Sequence, residues 1–264
     1  MTTLNSEIDH RGVATLTLCR PELHNAFDDV LIEEMIDHLE RLASNPSVRL
    51  LVLESRGKSF SAGADLGWMQ RMANYSESEN EADALQLGRL MQTLNHMPIP
   101  TIARVQGAAF GGGVGLVACC DLVVASDRAQ FCLSEVKLGL IPAVISPFVL
   151  DKIGVSASRR YFLTAERFPA TEALRLGLVH EVVDADELDD AVARWVSTLL
   201  QNGPMAMGAA KALIQYVAHR PREGHVMEDT ARRIAHIRAS EEGREGVAAF
   251  LEKRPPNWLP KEAS

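Results

Sequence analysis

Apolar and polar positions alternate in short runs over the first two-thirds of the chain. Val13–Leu18 (VATLTL) alternates with period two and predicts a strand. Pro21–Phe27 breaks the pattern and predicts a loop. Asp28 then caps a helix, because Leu31, Met35, Ile36, Leu39 and Leu42 recur at helical spacing to about Ala43. Asn45-Pro46 ends it. Leu50–Leu53 is an unbroken apolar run, as expected of a strand covered on both faces. Residues 66–97 read mostly as helix, interrupted by the polar stretch Asn74–Asn80. Thr101–Val105 predicts a buried strand, Val114–Cys120 the first turns of a buried helix, and Leu122–Ala125 and Gln130–Leu133 two further short strands.

Beyond residue 155 the pattern turns helical. Ser156–Thr164 and Thr171–Leu176 predict short helices, the second stopped by Gly177. Leu178–Val183 predicts a last strand, and Asp184 opens a helix to about Gln201. Gly203-Pro204 starts another, with proline in the first turn, and helices continue to Glu252. Strand–helix alternation followed by helices predicts an α/β class, with a core over 1–200 and a C-terminal helical region over 201–264.

The 264 residues carry a net charge of −8, with 47% hydrophobic and 23% charged residues. That balance suits a globular protein and argues against nucleic acid as the main partner, since phosphate backbones need a positive footprint. No run approaches the ~20 apolar residues of a membrane span. The N-terminus shows no basic segment followed by an apolar one, so no secretory signal is expected. Cys19, Cys119, Cys120 and Cys132 form no C-x-x-C pair and sit in apolar stretches. They read as small buried hydrophobes in a reducing compartment, and the expected location is cytoplasmic.

The most informative stretch is Thr101–Asp121, TIARVQGAAFGGGVGLVACCD. Gly111, Gly112 and Gly113 bring bare backbone amides to a helix N-terminus, where the first N–H groups lack helical partners and the dipole favours negative charge. Such a turn suits a phosphate or an oxyanion that develops during reaction. Gly113–Ala118 fits the dinucleotide fingerprint G-x-G-x-x-A, but Gly107–Gly112 intervene after the strand and no acidic residue ends a following one. Lys58–Leu66 (KSFSAGADL) repeats the design, with small residues at a second strand-to-helix turn. Two such turns, each aiming one N–H at a single oxygen, would form an oxyanion hole. A nucleophilic Ser61 would need G-x-S-x-G, and the first glycine is missing. Glu135, in an apolar setting after a strand, reads either as a general acid/base whose pKa burial raises, or as a partner for Lys137.

Together with Arg20-Pro21-Glu22-Leu23-His24-Asn25-Ala26-Phe27, SEVKLGLIP at 134–142, TAER at 164–167, ALRLGLV at 173–179 and FLEKR at 250–254, these segments resemble the enoyl-CoA hydratase/isomerase family, the crotonase superfamily, over nearly the whole chain. The resemblance implies a spiral of ββα repeats with a C-terminal helical trimerisation region, assembled as a homotrimer or homohexamer. It implies an acyl-CoA substrate, with coenzyme A as part of that substrate and neither metal nor separate cofactor. Matched position by position, Ala64 and Gly112 supply the oxyanion amides and Glu135 is the catalytic carboxyl. Lys58 either faces the coenzyme A phosphates or is a solvated loop lysine. Ala26, Ala62, Asp65, Leu66, Gly111 and Pro142 complete the substrate-binding set. Lys253 either reaches a neighbour's coenzyme A site or is an exposed C-terminal lysine.

Two departures stand out. Hydratases of the family usually carry a second glutamate where this chain has Gly115, so Glu135 remains of the usual pair. The isomerases also work with one carboxylate. In addition, Ile141–Pro147 (IPAVISP) replaces a glycine-rich stretch, so Val144 and Ile145 should reshape the pocket near the acyl group. This combination resembles the bacterial 3-methylglutaconyl-CoA hydratases, with isohexenylglutaconyl-CoA hydratases as a near variant. A second substrate carboxylate calls for a cation, for which Arg71, Arg89 and Lys137 are the candidates.

Overall fold

A computed structural model describes residues 3–259 of the chain apart from 219 and 222. Strands β1 (Leu4–Ile8) and β2 (Val13–Leu18) lead into helix α1 (Asp29–Ser44). Then come β3 (Leu50–Ser55), β4 (Ser59–Ser61), α2 (Leu66–Met72) and α3 (Glu77–Asn95). Next are β5 (Thr101–Val105), β6 (Ala108–Phe110) and α4 (Gly112–Cys119), then β7 (Leu122–Ser126), β8 (Gln130–Cys132) and α5 (Ser146–Thr164). The remaining elements are β9 (Phe168–Pro169), α6 (Ala170–Leu176), β10 (Glu181–Val183), α7 (Leu188–Leu200), α8 (Pro204–Val217), α9 (Gly224–Ala239) and α10 (Glu241–Glu252).

Two sheets organise these elements. The larger has six strands in the order β1-β2-β3-β5-β7-β10, and the smaller has four in the order β4-β6-β8-β9. From β3 to β8, one strand enters the large sheet, the next enters the small sheet, and one or two helices follow; β9 then joins the small sheet and, after α6, β10 joins the large one. That is a spiral of ββα units, and the α/β class read from the sequence is correct. All pairings are parallel except β1 with β2 and β8 with β9.

The unbroken apolar run of β3 has a direct explanation. Leu51 and Leu53 face the main core, with Leu39 of α1, Leu94 of α3 and Val117 of α4. Leu50 and Val52 face the opposite way, where Leu188, Val192 and Val196 of α7 cover them. A sheet covered on both faces has no polar side, and each fully buried Leu contributes about 1.5–3 kcal/mol relative to exposure. Helix α1 is capped as expected: the Asp28 carboxylate accepts from Leu31 N–H at 2.9 Å.

The differences from the sequence reading each have a local cause. Strand β1 was not expected; it is an edge strand in which Leu4 alone is fully buried, so LNSEI shows no apolar alternation. Strands β4 and β6 are three residues long and built of Ser, Ala and Phe. Helix α5 begins at Ser146 rather than Ser156, passing through a kink at Gly154 (φ 73°). The break after α2 is confined to 73–76, because Ser76 and Glu79 form a capping box that starts α3 early. A short 3-10 turn, Ala185–Glu187, precedes α7, and only Glu181–Val183 of the expected last strand pairs with β7. Cys119, Cys120 and Cys132 are buried free thiols, whereas Cys19 is half-buried. Burial pushes the Cys120 thiol up to about 12, which keeps it protonated. Among the described residues, no helix is long and apolar enough to cross a membrane.

Helix α8 is clipped to the α/β layers by one polar cluster. Lys211 Nζ lies 2.7 Å from Asp121 Oδ2 and donates to the Ile99 carbonyl at 3.3 Å. Asp121 Oδ2 also accepts from the N–H and hydroxyl of Thr101, at 2.8 and 2.9 Å. Lys211→Ala should therefore lower unfolding free energy by about 2 kcal/mol, the scale of hydrogen bonds to charged groups, measured by urea titration. An unchanged midpoint would show that the cluster does not hold α8.

Candidate active site

Strands β4, β6 and β8 lie side by side and run the same way, Ser61 opposite Ala109 and Phe110 opposite Cys132. Their C-terminal ends therefore emerge together. The Ala62–Asp65 turn follows β4, Gly111 and the start of α4 follow β6, and Glu135 lies three residues beyond β8. One sheet edge thus gathers the three segments that the sequence marks as chemical.

The first turn rests on the loop at 20–27. The buried Asn25 ties that loop down: its amide donates to the carbonyls of Arg56 (2.7 Å) and Ser59 (2.8 Å), and its oxygen accepts from Arg20 N–H (2.9 Å). Ala62 N–H donates to the His24 carbonyl at 2.9 Å. Ser61 Oγ donates to the Asn25 carbonyl at 2.9 Å and accepts from Gly63 N–H at 3.2 Å. Its hydroxyl thus shapes the turn, in keeping with the missing elbow glycine. Gly63 adopts φ 86°, a left-handed conformation that costs a side chain dearly.

The second turn pivots on Gly111 (φ 50°), whose N–H donates to the Cys132 carbonyl at 2.8 Å. Helix α4 starts immediately afterwards, and nearly all of it is buried. The two turns abut: a Cβ on Gly63 would lie 3.4 Å from Gly112 N. Neither Ala64 N–H nor Gly112 N–H finds an acceptor among the described residues. Free amides at a helix N-terminus, in a largely apolar surround, can hold an oxygen that gains negative charge.

Glu135 opens a 3-10 turn, Glu135–Leu138, and its side chain points back to these amides. A Cβ on Gly111 would lie 3.2 Å from Glu135 Oε1, and Oε2 is buried with no hydrogen-bond partner among the described residues. The alternative partnership with Lys137 is not formed. Burial raises the Glu135 pKa above its ordinary 4.5. A carboxyl with a raised pKa, a free buried oxygen and two amides beside it can take up and return a proton.

The two sequence departures meet in one contact. Gly115 lies one helical turn beyond Gly111, and a Cβ there would fall 2.3 Å from Ile145 Cγ2 and 3.1 Å from Met91 Cε. The space that a second glutamate would enter is filled by hydrocarbon.

The remaining expected residues take varied positions. Ala26 and Pro142 are buried, while Ala62 and Lys58 are exposed, Lys58 just ahead of β4. Leu66 opens α2 with 76% of its surface exposed. The Asp65 carboxylate caps α2, accepting from Gly67 N–H (2.8 Å) and Trp68 N–H (3.2 Å), and lies 3.5 Å from Arg20. Lys253 is exposed, in a left-handed conformation at the end of α10. Of the three candidate cations, Arg71 pairs with Asp29 and Arg89 with Glu40. Lys137 alone of the three has no carboxylate partner among the described residues. The sequence reading missed Phe27 and the partner of Gly115; no signal marks a contact between residues so far apart along the chain. Among the described residues, no three His, Cys, Asp or Glu side chains gather as a metal site.

Residues 9–261 match the enoyl-CoA hydratase/isomerase family. The chain belongs to that family. It is an enzyme of the enoyl-CoA hydratase type, in a family that acts on acyl-CoA thioesters. It is 49% identical to an enoyl-CoA hydratase from Shewanella pealeana of known structure, with a TM-score of 0.94 over 97% of this chain and 96% of that one. It is 32% identical to a crotonyl-CoA hydratase of Syntrophomonas wolfei over 94% of this chain and 95% of the relative. It is also 30% identical to the 2,3-dehydroadipyl-CoA hydratase of Escherichia coli, over 93% and 94%.

Glu135→Gln should lower turnover about 10³-fold, within the range for general acid–base groups. Stability should move the other way. Because the folded pKa is raised, ionisation of Glu135 disfavours the folded state as pH rises above 4.5, and the glutamine removes that penalty. The variant should melt at or above the wild-type temperature at pH 7, and the two curves should converge below about pH 4.5. A variant clearly less stable than wild type at pH 7 would contradict this.

Proposed function

We propose that this enzyme adds water across the double bond of an α,β-unsaturated acyl-CoA, with 3-methylglutaconyl-CoA of leucine breakdown as the substrate. The observation that carries the reading is the convergence of Glu135 with the unpartnered amides of Ala64 and Gly112. Glu135 takes a proton from water as the oxygen adds to Cβ. The electron pair moves through Cα to the thioester oxygen, which the Ala64 and Gly112 N–H groups hold as an enolate. Glu135 then returns the proton to Cα, completing the hydroxyacyl thioester. With Ile145 occupying the space beside Gly115, one carboxyl serves both proton transfers. No metal or separate cofactor takes part, and coenzyme A arrives with the substrate.

The substrate assignment is supported by IPAVISP at 141–147, by Lys137 on the turn that bears Glu135, which has no carboxylate partner among the described residues, and by kinship to an enzyme named for another diacid thioester. We assign Lys137 to the distal carboxylate and Lys58 to the coenzyme A phosphates. Exposed Val247, Phe250 and Leu251 on α10 support assembly as a homotrimer or homohexamer, and the buried free thiols support a cytoplasmic location.

A second reading, Δ3-Δ2 enoyl-CoA isomerase, is favoured by the closed space at Gly115, since moving a proton between carbons needs one carboxyl and no water. Incubation of a 3-enoyl-CoA in deuterated water separates the two: a shifted double bond without hydroxylated product selects the isomerase.

Loss of the conjugated thioester absorbance should be much faster with 3-methylglutaconyl-CoA than with crotonyl-CoA. Lys137→Gln should cut that specificity ratio about tenfold, the loss of one charge-assisted contact. A preference for crotonyl-CoA in the wild-type enzyme would assign it to a broad enoyl-CoA hydratase instead.

A further inference from the structure

Phe27 is joined to both turns of the site by different parts of itself. Its backbone belongs to the Ala64 turn: Phe27 N–H donates to the Gly63 carbonyl at 2.8 Å, and the Phe27 carbonyl accepts from Asp65 N–H at 2.9 Å. These bonds flank Ala64 on either side and form a parallel bridge. Its ring belongs to the other turn. Ring atom Cζ lies 2.4 Å from where a Cβ on Gly112 would sit, and Cε2 lies 3.2 Å from the same point. The ring therefore fills the space that the glycine leaves open.

The ring is also backed from behind. It is 1% exposed and packs against Trp68 of α2, with centroids 6.4 Å apart and planes tilted by 51°. The Trp68 indole N–H donates to Asp83 Oδ1 of α3 at 3.1 Å. The Ala64 turn cannot slide relative to the start of α4 without dragging the ring into Gly112 or away from it. Close packing resists both movements.

We propose that Phe27 is a positioning residue, a rigid spacer that sets the separation of the Ala64 and Gly112 amides. It touches no reacting atom. This rests on the reading of those amides as the oxyanion donors. Preorganised donors act only if they already stand where charge will develop, and a misplacement of about 1 Å costs on the order of 10² in rate. Leucine would keep the backbone bonds and lose the reach of the ring; alanine would leave the spacer out.

The test reads the donors directly. The carbonyl stretch of butyryl-CoA labelled with ¹³C at the thioester carbon is recorded free and bound, by isotope-edited infrared spectroscopy. This saturated thioester neither hydrates nor isomerises. Full-length wild-type, Phe27→Leu and Phe27→Ala enzymes are compared, alongside kcat and KM for the enoyl substrate. The wild type should lower the frequency on binding. Phe27→Ala should lose most of that downshift and about 10²-fold in kcat, with KM changed by less than about threefold. Phe27→Leu should fall between, and it carries the test if the alanine variant does not fold. Wild-type downshift and kcat in the folded variants would overturn the proposal while leaving Ala64 and Gly112 as donors. No downshift in the wild type would overturn the donor reading, and this proposal with it.

Discussion

Parallel pairing of β4, β6 and β8 is the constraint on which the site depends. Each strand is three residues long, so each contributes little by itself. Held in one register, they deliver three strand ends to one edge: an amide after the first, an amide at a helix start after the second, a carboxyl after the third. The large sheet, covered on both faces, provides the frame that fixes this register. Helix α7 seals one face and the main core the other.

The electrostatics follow from that placement. Glu135 is pushed toward its neutral form by burial, and one of its oxygens has no partner among the described residues. In isolation this is an unfavourable arrangement, and a protein retains such a group where its proton is used. The amides of Ala64 and Gly112 likewise have no acceptor among the described residues. The Gly115–Ile145 contact fills the space beside Gly115 with hydrocarbon.

Much of this was legible in the sequence, for physical reasons. A period-two pattern marked β2, helical spacing marked α1, and an unbroken apolar run marked β3. The glycines at 111–113 and 63 announced turns with exposed amides, and Glu135 stood out as a charge in apolar surroundings. What was hidden were features that depend on tertiary contact. β1 carries too few buried side chains to show a pattern, and the first turns of α5, ahead of the kink at Gly154, were not expected. The pairing of Arg71 with Asp29 and of Arg89 with Glu40 removes two cations that sequence treated as equal to Lys137. The contacts of Phe27 with Gly112 and of Ile145 with Gly115 join segments that no local pattern connects.

The central claim is that Glu135 moves a proton at Cα while the two amides hold the enolate, whatever the acyl chain. The most direct measurement is exchange of the Cα hydrogens of a saturated acyl-CoA in deuterated water, followed by mass spectrometry. Saturation removes hydration and isomerisation and leaves the proton transfer alone. The account predicts deuterium at Cα with the wild-type enzyme and none above the uncatalysed rate with Glu135→Gln. Exchange that continues unchanged in the glutamine variant would contradict it.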